Sequence, residues 1–520
     1  MAKHSAVPRL MPRSSGQRRR IADLALPTLV AALLSVACSK AGGQGPEDAG
    51  NQGTGGVTND GATMADHGGR GTGGSAGAAG NAGRAGAVDA GTGGRSGSAG
   101  ASGSGGASGS GGASGSGGAM DAGSAGLGCD PLAPPTGTVI NVTPSQTSQL
   151  ASIVAGAAAG TTILLADGIY TPVPRLNLMT PGVSLRSASG NASAVVLDGV
   201  YAADEIIFVA ASNVTLAEIT VTHAINHPIH VSPPDTGPDV TGVRLYRLRV
   251  VDGGEQFVKV NPNGARTFWV DNGRLECSTL LLTDAGRPHV VSLPGLPCYT
   301  GGIDAHSARG WVVRRNHLEG FWCATGLSEH AIHFWNASRD TLAEHNVIVN
   351  VAMGIGFGLG ETGTTRPYAD NPYPGAGFIG HYDGIIRNNV IYADIAGFDT
   401  GVALEQARGV RVYHNTIYST DAVTGFFSPI DYRFASTVAE IRNNLVRRIS
   451  MRNGATGTVD HNLENVSAAY FVNPATRDFH LLATAANAID QGVVVTEAGL
   501  DMDGVAHGAS PDLGAYERVP

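Results

Sequence analysis

The chain is poor in charged residues and in helical patterns. Only 15% of its 520 residues are charged, the formal net charge is -9, and no stretch rich in Lys and Arg is present. Binding to nucleic acid needs such a stretch to neutralise phosphates, so we expect no nucleic-acid partner. Helical periodicity is confined to residues 145–160, with Thr147 as the expected N-cap and Gly160 as the stop. Strands must therefore supply most of the fold.

A long membrane-spanning run is also missing from the N-terminal part. The apolar segment 21–37 follows three arginines at 18–20, and it has marginal length and the wrong flanks for a membrane span. We therefore interpret residues 1–38 as an export signal. The segment ends in SVAC and resembles the lipobox of bacterial lipoproteins, with Ser35 where that pattern prefers Leu.

The lipobox resemblance implies that Cys38 is lipidated and that a lipid anchor holds the protein at the outer membrane or cell surface. The alternative is ordinary signal-peptide cleavage near Ala37, which would release an extracellular protein. Both interpretations predict export. Residues 39–128 consist mainly of Gly, Ser and Ala, as in GASGSGGASGSGGASGSGGA. Such a segment cannot bury enough apolar surface to fold, so we expect a disordered linker with a reach of roughly 50 Å.

Four cysteines remain for the domain at 129–520. An even number in an exported protein predicts two disulfides, and four cysteines allow three pairings. Because Cys277 and Cys298 are close in sequence, the expected pairs are Cys277–Cys298 and Cys129–Cys323. The alternative is that these cysteines are free buried thiols.

A weak repeat dominates the domain. Phrases such as TGVRLYRLRV, DGIIRNNVIY and RGVRVYHNTIY each read as a strand, a polar step and a second strand. An asparagine recurs at the polar step, mostly at spacings of about 23–30 residues, in Asn316, Asn346, Asn389, Asn415, Asn444 and Asn462. Short strands of this kind must stack to bury their apolar faces, which predicts a parallel β-helix with the asparagines forming a ladder.

Two segments carry a family resemblance over residues 140–515. The stretch LADGIYTPVPRLNLMTPGVSLRSASGNASAVVLDG and the tail LDMDGVAHGASPDLGAYE resemble the first rungs and the end of right-handed parallel β-helix proteins. That group includes pectate, alginate and chondroitin lyases. The resemblance implies an all-β, right-handed, single-stranded parallel β-helix and a polysaccharide ligand.

One strand of each rung alternates clearly, as in FVKVN, GIDAH and AIHFW. Period two turns the apolar members inward and their neighbours outward. The first outward column is predicted to contain His230, Lys259, Asp304, His333, Gly356 and Ala403. The second contains Ser232, Asn261, His306, Trp335, Gly358 and Glu405. Lys259, Asp304 and His333 should then lie within about 10 Å.

The same alternation separates His330 from His333. The two positions differ by an odd number, so on a strand they should face opposite ways. We therefore predict no zinc site here. Two long insertions, near 262–300 and 360–382, should form the walls of a groove over the columns, with Tyr368 and Tyr382 reaching into it.

These features lead to two function hypotheses. The first is an enzyme, a polysaccharide lyase that acts on a uronic-acid polymer by β-elimination. Lys259 or His306 would be its base, Lys259 or a bound cation would neutralise the substrate carboxylate, and Tyr368 or Tyr382 would be its acid. Known lyases of this fold pair a basic residue with an arginine on a neighbouring rung, whereas His306 stands at that place here.

The remaining residues of the columns would bind or orient the substrate. Asp304 would orient His333 or hold Ca²⁺ with Asn261 and other oxygens, and Ca²⁺ is the only cofactor that these residues suggest. Trp335 would stack on a sugar, and His230 and Glu405 would add polar contacts. Hydrolysis by Asp304 and Glu405 ranks lower because their rungs are too far apart.

The second hypothesis is a non-catalytic protein that binds polysaccharide or a cell-surface partner. Its polar columns would then be a solvated face without convergent groups. Either way we expect a monomer.

Overall fold

The computed structural model of the protein describes residues 128–420 and 428–519. The predicted export signal, Cys38 and nearly all of the predicted linker lie outside the described residues. Among the described residues, no helix is both long and apolar enough to cross a membrane.

The described residues form the right-handed parallel β-helix that the sequence predicts. Three long parallel sheets run along it. One of them, which we name the site sheet, has ten strands within the described residues: Leu176–Leu178, Ile207–Val209, Ile229–Val231, Gln256–Val260, Gly301–His306, His330–Trp335, Met353–Phe357, Thr400–Glu405, Ser428–Arg433 and Ile449–Arg452.

The second sheet contains fourteen strands of the described part: Val139–Val142, Thr162–Leu165, Ser184–Ser187, Thr215–Ala217, Arg244–Tyr246, Arg274–Glu276, Val312–Arg314, Ser338–Arg339, Leu342–Glu344, His381–Tyr382, Ile385–Arg387, Ala407–Tyr413, Val438–Arg442 and Thr456–Asp460. The third sheet contains nine strands of that same part: Gly168–Tyr170, Val195–Asp198, Thr220–Thr222, Arg249–Val251, Thr279–Leu281, His317–Glu319, Val347–Val349, Val390–Ala393 and Thr416–Ser419.

Two short pairs complete the strands: Val240–Thr241 with Val270–Asp271, which is parallel, and Phe471–Asn473 with Asp478–Leu481, which is antiparallel. Short 3₁₀ turns lie at Ala192–Ala194, Arg287–His289, Ala468–Tyr470 and Pro474–Thr476.

The expected helix differs from the sequence prediction in its bounds. A 3₁₀ turn at Pro144–Gln149 leads into the α-helix Leu150–Ala155, which ends at the cap Gly156. The helical segment begins earlier than expected because Thr143 and Pro144 already supply a start signal. The α-helix also ends before Gly160.

One apolar core fills the inside of the β-helix. Inward residues of successive strands stack there, and the side chains of Val258, Ile303, Ile332, Ile355 and Val402 are all fully buried. Each rung covers the apolar face of its neighbours, so the core is continuous along the stack. A separate cluster, which includes Phe471, Phe479 and Leu481, packs the C-terminal segment on Val349 and Tyr392.

The asparagine ladder is confirmed. At the turn between the second and third sheets, the side-chain amide of each ladder asparagine donates to the side-chain oxygen of the next, at 2.8–3.0 Å from Asn316 to Asn462. The left-handed backbone conformation belongs to the residue before each of these asparagines, as at Arg315 and Asn388. The ladder satisfies buried polar groups that stacking alone would leave without partners.

Two disulfides are present, but the pairing expected from sequence distance is wrong. The bonds join Cys129 to Cys277 and Cys298 to Cys323. Cys277 lies in the turn that follows Arg274–Glu276, whereas Cys298 lies just before the strand Gly301–His306 of the site sheet. The two positions belong to different corners of a rung, so nearness along the chain does not bring them together.

The first insertion is shorter than expected, and the second is shifted towards the N-terminus by two residues. The segment 262–300 contains Val270–Asp271, Arg274–Glu276 and Thr279–Leu281, which belong to an ordinary rung, so the long loop there is 282–300. The second loop is 358–380, because His381–Tyr382 is already a strand. The loop 282–300 precedes the site-sheet strand Gly301–His306, and the loop 358–380 follows the site-sheet strand Met353–Phe357.

Candidate functional site

The predicted pairing of the two outward columns is confirmed. Lys259 pairs with Asp304, and Asp304 pairs with His333, on three consecutive strands of the site sheet. His306 pairs with Trp335 in the second column. The residues between them, such as Ile303 and Ala305, lie in the core, so the column residues project from the outer face.

A cavity of about 420 Å³ lies over this face, and we name it the site cavity. Its floor contains Asp304, His306 and Trp335. The loop 282–300 supplies one wall with residues 295–297 and Tyr299, and the segment 326–329 continues that wall. Residues 359–361 of the second loop, with Glu405 and Arg433, line the far end. Both long loops therefore border the cavity, as the sequence predicts.

Lys259 and Asp304 form a buried ion pair beneath the cavity floor. Only 5% of Lys259 and 3% of Asp304 is exposed, and the Lys259 ammonium donates to Asp304 Oδ2. Burial alone would lower the pKa of Lys259, but the charge and hydrogen bond of Asp304, with the nearby Tyr299 and Glu329, together outweigh burial and raise that pKa. Burial alone would raise the pKa of Asp304, yet Lys259, His306 and His333 together hold that pKa well below the usual range.

This pairing corrects the role expected for Lys259. A general base must be unprotonated so that it can accept a proton. The raised pKa of Lys259 instead keeps its side chain as a charged ammonium. Its charge is also already balanced by Asp304, so it has little capacity to neutralise a substrate carboxylate. The remaining basic candidate on the cavity floor is His306.

His306 is held neutral at physiological pH. Burial and the charge of Lys259 lower the pKa of His306 to about 4. Its Nε2 lies 3.2 Å from Lys259 Nζ and 3.1 Å from Asp304 Oδ2. A neutral imidazole in this position has a nitrogen that can accept a proton, although the low pKa makes it a weak base.

Trp335 is fixed in place by its neighbours. Its indole Nε1 donates to Asp304 Oδ1 at 2.7 Å. Its ring lies parallel to that of His333, with centroids 5.4 Å apart, and the His306 ring meets its edge at 4.5 Å. The indole is therefore presented to the cavity in one orientation, at little further entropic cost on binding.

The far end of the cavity has a second buried pair. Glu405 is 4% exposed and forms an ion pair with Arg433. The backbone N–H of Gly360 donates to Glu405 Oε2 at 2.5 Å, which attaches the second loop to the sheet. Asp304 and Glu405 lie three strand spacings apart, or about 14 Å, so their separation exceeds what a glycosidase pair needs.

Two predicted residues lie outside the site cavity. Tyr368 and Tyr382 pack against each other with ring centroids 5.5 Å apart, in a small cluster with Ala337 and Ile379. The Tyr368 hydroxyl donates to the carbonyl oxygen of Ala337. Neither tyrosine lines the cavity, so the expectation that they serve as its acid is wrong. The second loop folds back onto the edge of the second sheet instead.

His230 and Asn261 belong to a neighbouring polar group. His230 Nδ1 lies 2.6 Å from Glu205 Oε1, and its Nε2 lies 3.4 Å from Asn261 Nδ2. Neither residue lines the site cavity. The calcium site expected from Asp304 and Asn261 has little support, because the Asp304 carboxylate is occupied by Lys259 and Trp335.

The expectation that His330 and His333 face opposite ways is wrong. Their ring centroids are 4.3 Å apart. Ala331 and Ile332 both join the core, so the strict alternation is interrupted between them. The two consecutive core residues leave His330 on the same side as His333, without a register shift against the next strand.

Sequence reasoning missed several residues of the cavity, among them Tyr299, Glu329 and Arg433. Tyr299 directly follows Cys298, and the disulfide to Cys323 joins the two wall segments. Lys259 tends to lower the pKa of Tyr299, but burial and nearby carboxylates together raise it, so the phenol stays protonated. The disulfide pairing was the signal that could have located this wall.

No family model and no curated protein matches the sequence. Several solved structures align weakly. A crystal structure of pectate lyase Pel9A aligns with a TM-score of 0.43 and 16% identity, over 74% of this chain and 97% of that one. An alginate lyase from Paenibacillus sp. str. FPU-7 aligns with a TM-score of 0.36 and 16% identity, over 62% and 99%.

PfbA, a surface adhesin of Streptococcus pneumoniae, aligns with a TM-score of 0.31 and 10% identity, over 62% of this chain and 90% of that one. These similar structures thus include both enzymes and an adhesin. At such low identity, the likeness concerns the parallel β-helix fold alone.

Proposed function

We propose that this protein binds a polysaccharide in the site cavity. The observation that carries the proposal is the fixed indole of Trp335 on the floor of a 420 Å³ cavity with two loop walls. Sugar rings present apolar C–H faces that stack on aromatic rings, while their hydroxyl groups need polar partners nearby. The cavity offers both, because His306, Tyr299 and Glu329 line it together with the indole.

The charge of the lining favours a neutral sugar chain. The lining contains four carboxylates, Asp304, Glu329, Glu361 and Glu405, and one arginine, Arg433. Lys259 adds one further positive charge beneath Asp304. An anionic polymer would meet excess negative charge unless a divalent cation accompanied it. The uronic-acid polymer expected from the sequence therefore requires such a cation.

β-Elimination is a second candidate for the same cavity. It is supported by a neutral imidazole, His306, and a protonated phenol, Tyr299, on the floor and wall of one cavity. His306 would accept the proton alpha to the carboxyl group, and Tyr299 would donate one to the leaving oxygen. The low pKa of His306 predicts a slow reaction.

The test is binding of defined oligosaccharides, both neutral and uronic, with and without Ca²⁺, by calorimetry. We expect Trp335→Ala to weaken binding at least about tenfold, equal to about 1.4 kcal/mol. Trp322→Ala is the matched control, because Trp322 stacks on Arg287 and does not line the cavity. No binding by any oligosaccharide, or unchanged binding by Trp335→Ala, would refute the proposal.

Elimination is tested separately, by the ultraviolet absorbance of unsaturated uronates. We expect the signal to disappear in His306→Gln. Binding without any absorbance change identifies a non-catalytic binding protein.

A further inference from the structure

Two histidines and a glutamate meet beside the site cavity. Glu329, His330 and His333 each offer one ligand atom, and these atoms all lie within 4.8 Å of one another. His330 is 2% exposed and His333 is fully buried. Glu329 lines the cavity wall. The ligand atoms of the three residues therefore lie around one point. The two histidines are buried, and Glu329 lies at the edge of the cavity.

The tautomer of His333 is set by a backbone carbonyl. Its Nε2 lies 3.2 Å from the carbonyl oxygen of Gly358. A carbonyl oxygen can only accept, so Nε2 carries a hydrogen, and in the neutral imidazole Nδ1 then carries a lone pair. Histidine ligands of metals commonly make such a bond with their second nitrogen, because it orients the ring.

The free nitrogen of His333 faces two carboxylates. Nδ1 lies 3.6 Å from Glu329 Oε2 and 3.5 Å from Asp304 Oδ1, and it makes no hydrogen bond. These distances are too long for a good N–H···O hydrogen bond. They match the separation of about 3.4 Å between two ligands of a tetrahedral ion with bonds of about 2.0–2.1 Å.

The neighbouring strand leaves room for the second histidine. A Cβ atom at position 356 would lie 2.6 Å from the His330 ring, so glycine is required there. Gly356 pairs directly with His333. The interrupted alternation at Ala331 and the glycine on the next rung together place His330 next to His333.

We propose that Glu329, His330 and His333 bind a divalent transition-metal ion, with Zn²⁺ as the best fit. Two imidazoles and one carboxylate are the donor set that zinc accepts, whereas calcium prefers oxygen donors throughout. Glu329 borders the site cavity, so water or a hydroxyl group from the cavity is the expected fourth ligand. Asp304 stays outside the set, because Lys259 and Trp335 occupy its oxygens.

The site is independent of the proposed polysaccharide binding and is tested without any sugar. The full chain, purified without a histidine tag and treated with a chelator, is titrated with ZnCl₂ by calorimetry and with CoCl₂ by visible absorbance. We expect one Zn²⁺ per chain and the absorption bands of tetrahedral cobalt.

Removal of a single ligand should have a large effect. We expect His330→Gln and His333→Gln each to weaken zinc binding by more than about 100-fold, which exceeds the effect of losing an outer partner. Glu329→Gln keeps the shape of a residue at the cavity edge, so it tests the ligand role even if the buried histidine variants fail to fold. Trp335→Ala should retain zinc binding whatever it does to sugar binding.

A second group supplies the control. His414, His507 and Glu517 are also close enough to hold an ion, but His507 is already hydrogen-bonded to Glu517 and Asn388, and His414 to Asn443. We expect His507→Gln to bind zinc as the parent does. The proposal is overturned if the parent binds no zinc, if Glu329→Gln binds as tightly as the parent, or if only His507→Gln loses binding.

Discussion

Replacement of Asp304 by asparagine would remove the carboxylate that pairs directly with the charge of Lys259. Both side chains are almost fully buried, at 3% and 5% exposure, and they form a direct ion pair. Asparagine has the same shape as aspartate and keeps an oxygen that accepts the indole N–H of Trp335. The change therefore removes the negative charge and places the amide N–H donors of asparagine against the Lys259 ammonium.

The structure sets the expected magnitude. Removing one partner of a buried ion pair costs about 3–5 kcal/mol, because the other charge stays desolvated. Lys259→Met should cost a similar amount at neutral pH. The double variant, Asp304→Asn with Lys259→Met, removes both charges, so it should cost less than either single change, which implies a coupling of at least about 3 kcal/mol.

The pH dependence separates the two single variants. Lys259 is one of the two main causes that lower the pKa of His306 to about 4. Without Lys259, the pKa of His306 rises, and its imidazolium compensates Asp304 as the pH falls. The cost of Lys259→Met should therefore shrink between about pH 7.5 and about pH 5.5. The cost of Asp304→Asn should not shrink.

The assay is urea unfolding followed by tryptophan fluorescence, at both pH values, for the parent, the two single variants and the double variant. Single changes that cost less than about 1 kcal/mol would refute the reasoning. So would costs that simply add in the double variant, because independent sites add and a coupled pair does not.

Two further predictions concern the scaffold. Asn389→Ala leaves two buried N–H donors of Asn346 without an acceptor. We therefore expect the free energy of unfolding in urea to fall by about 3 kcal/mol or more. The control Asn177→Ala, at an exposed position, should lower it by about 0.5 kcal/mol or less. A loss of equal size in both variants would argue against the ladder. Burial lowers the pKa of His381 to about 3. Between about pH 6.5 and pH 3, His381 is therefore protonated in the unfolded chain but neutral in the folded chain. Protonation of the unfolded chain lowers the free energy of unfolding as the pH falls through this range. His381→Gln should weaken this acid dependence of the thermal midpoint, whereas the exposed His461→Gln should not, and parallel curves for all three proteins would contradict the assignment.

The sequence by itself determined the architecture. Strand alternation, recurrent asparagines and a period near that of solenoids depend on local rules, and every rung repeats them. Stacking then fixes which residues pair, so the partners of Lys259, Asp304 and His333 could be predicted without coordinates. The parallel sheets and the ladder from Asn316 to Asn462 follow this prediction.

Only the tertiary structure decided what surrounds the columns. The disulfide partners depend on which corner of a rung each cysteine occupies, and the walls of the cavity depend on how the two loops fold back. Burial under those loops makes Lys259 a paired ammonium and His306 a neutral imidazole, and neither state follows from strand alternation. An interruption of that alternation, at Ala331, places His330 beside His333 and reverses the sequence prediction there. Local periodicity fixes the order of the rungs, whereas protonation and ligand geometry depend on contacts between segments far apart in the chain.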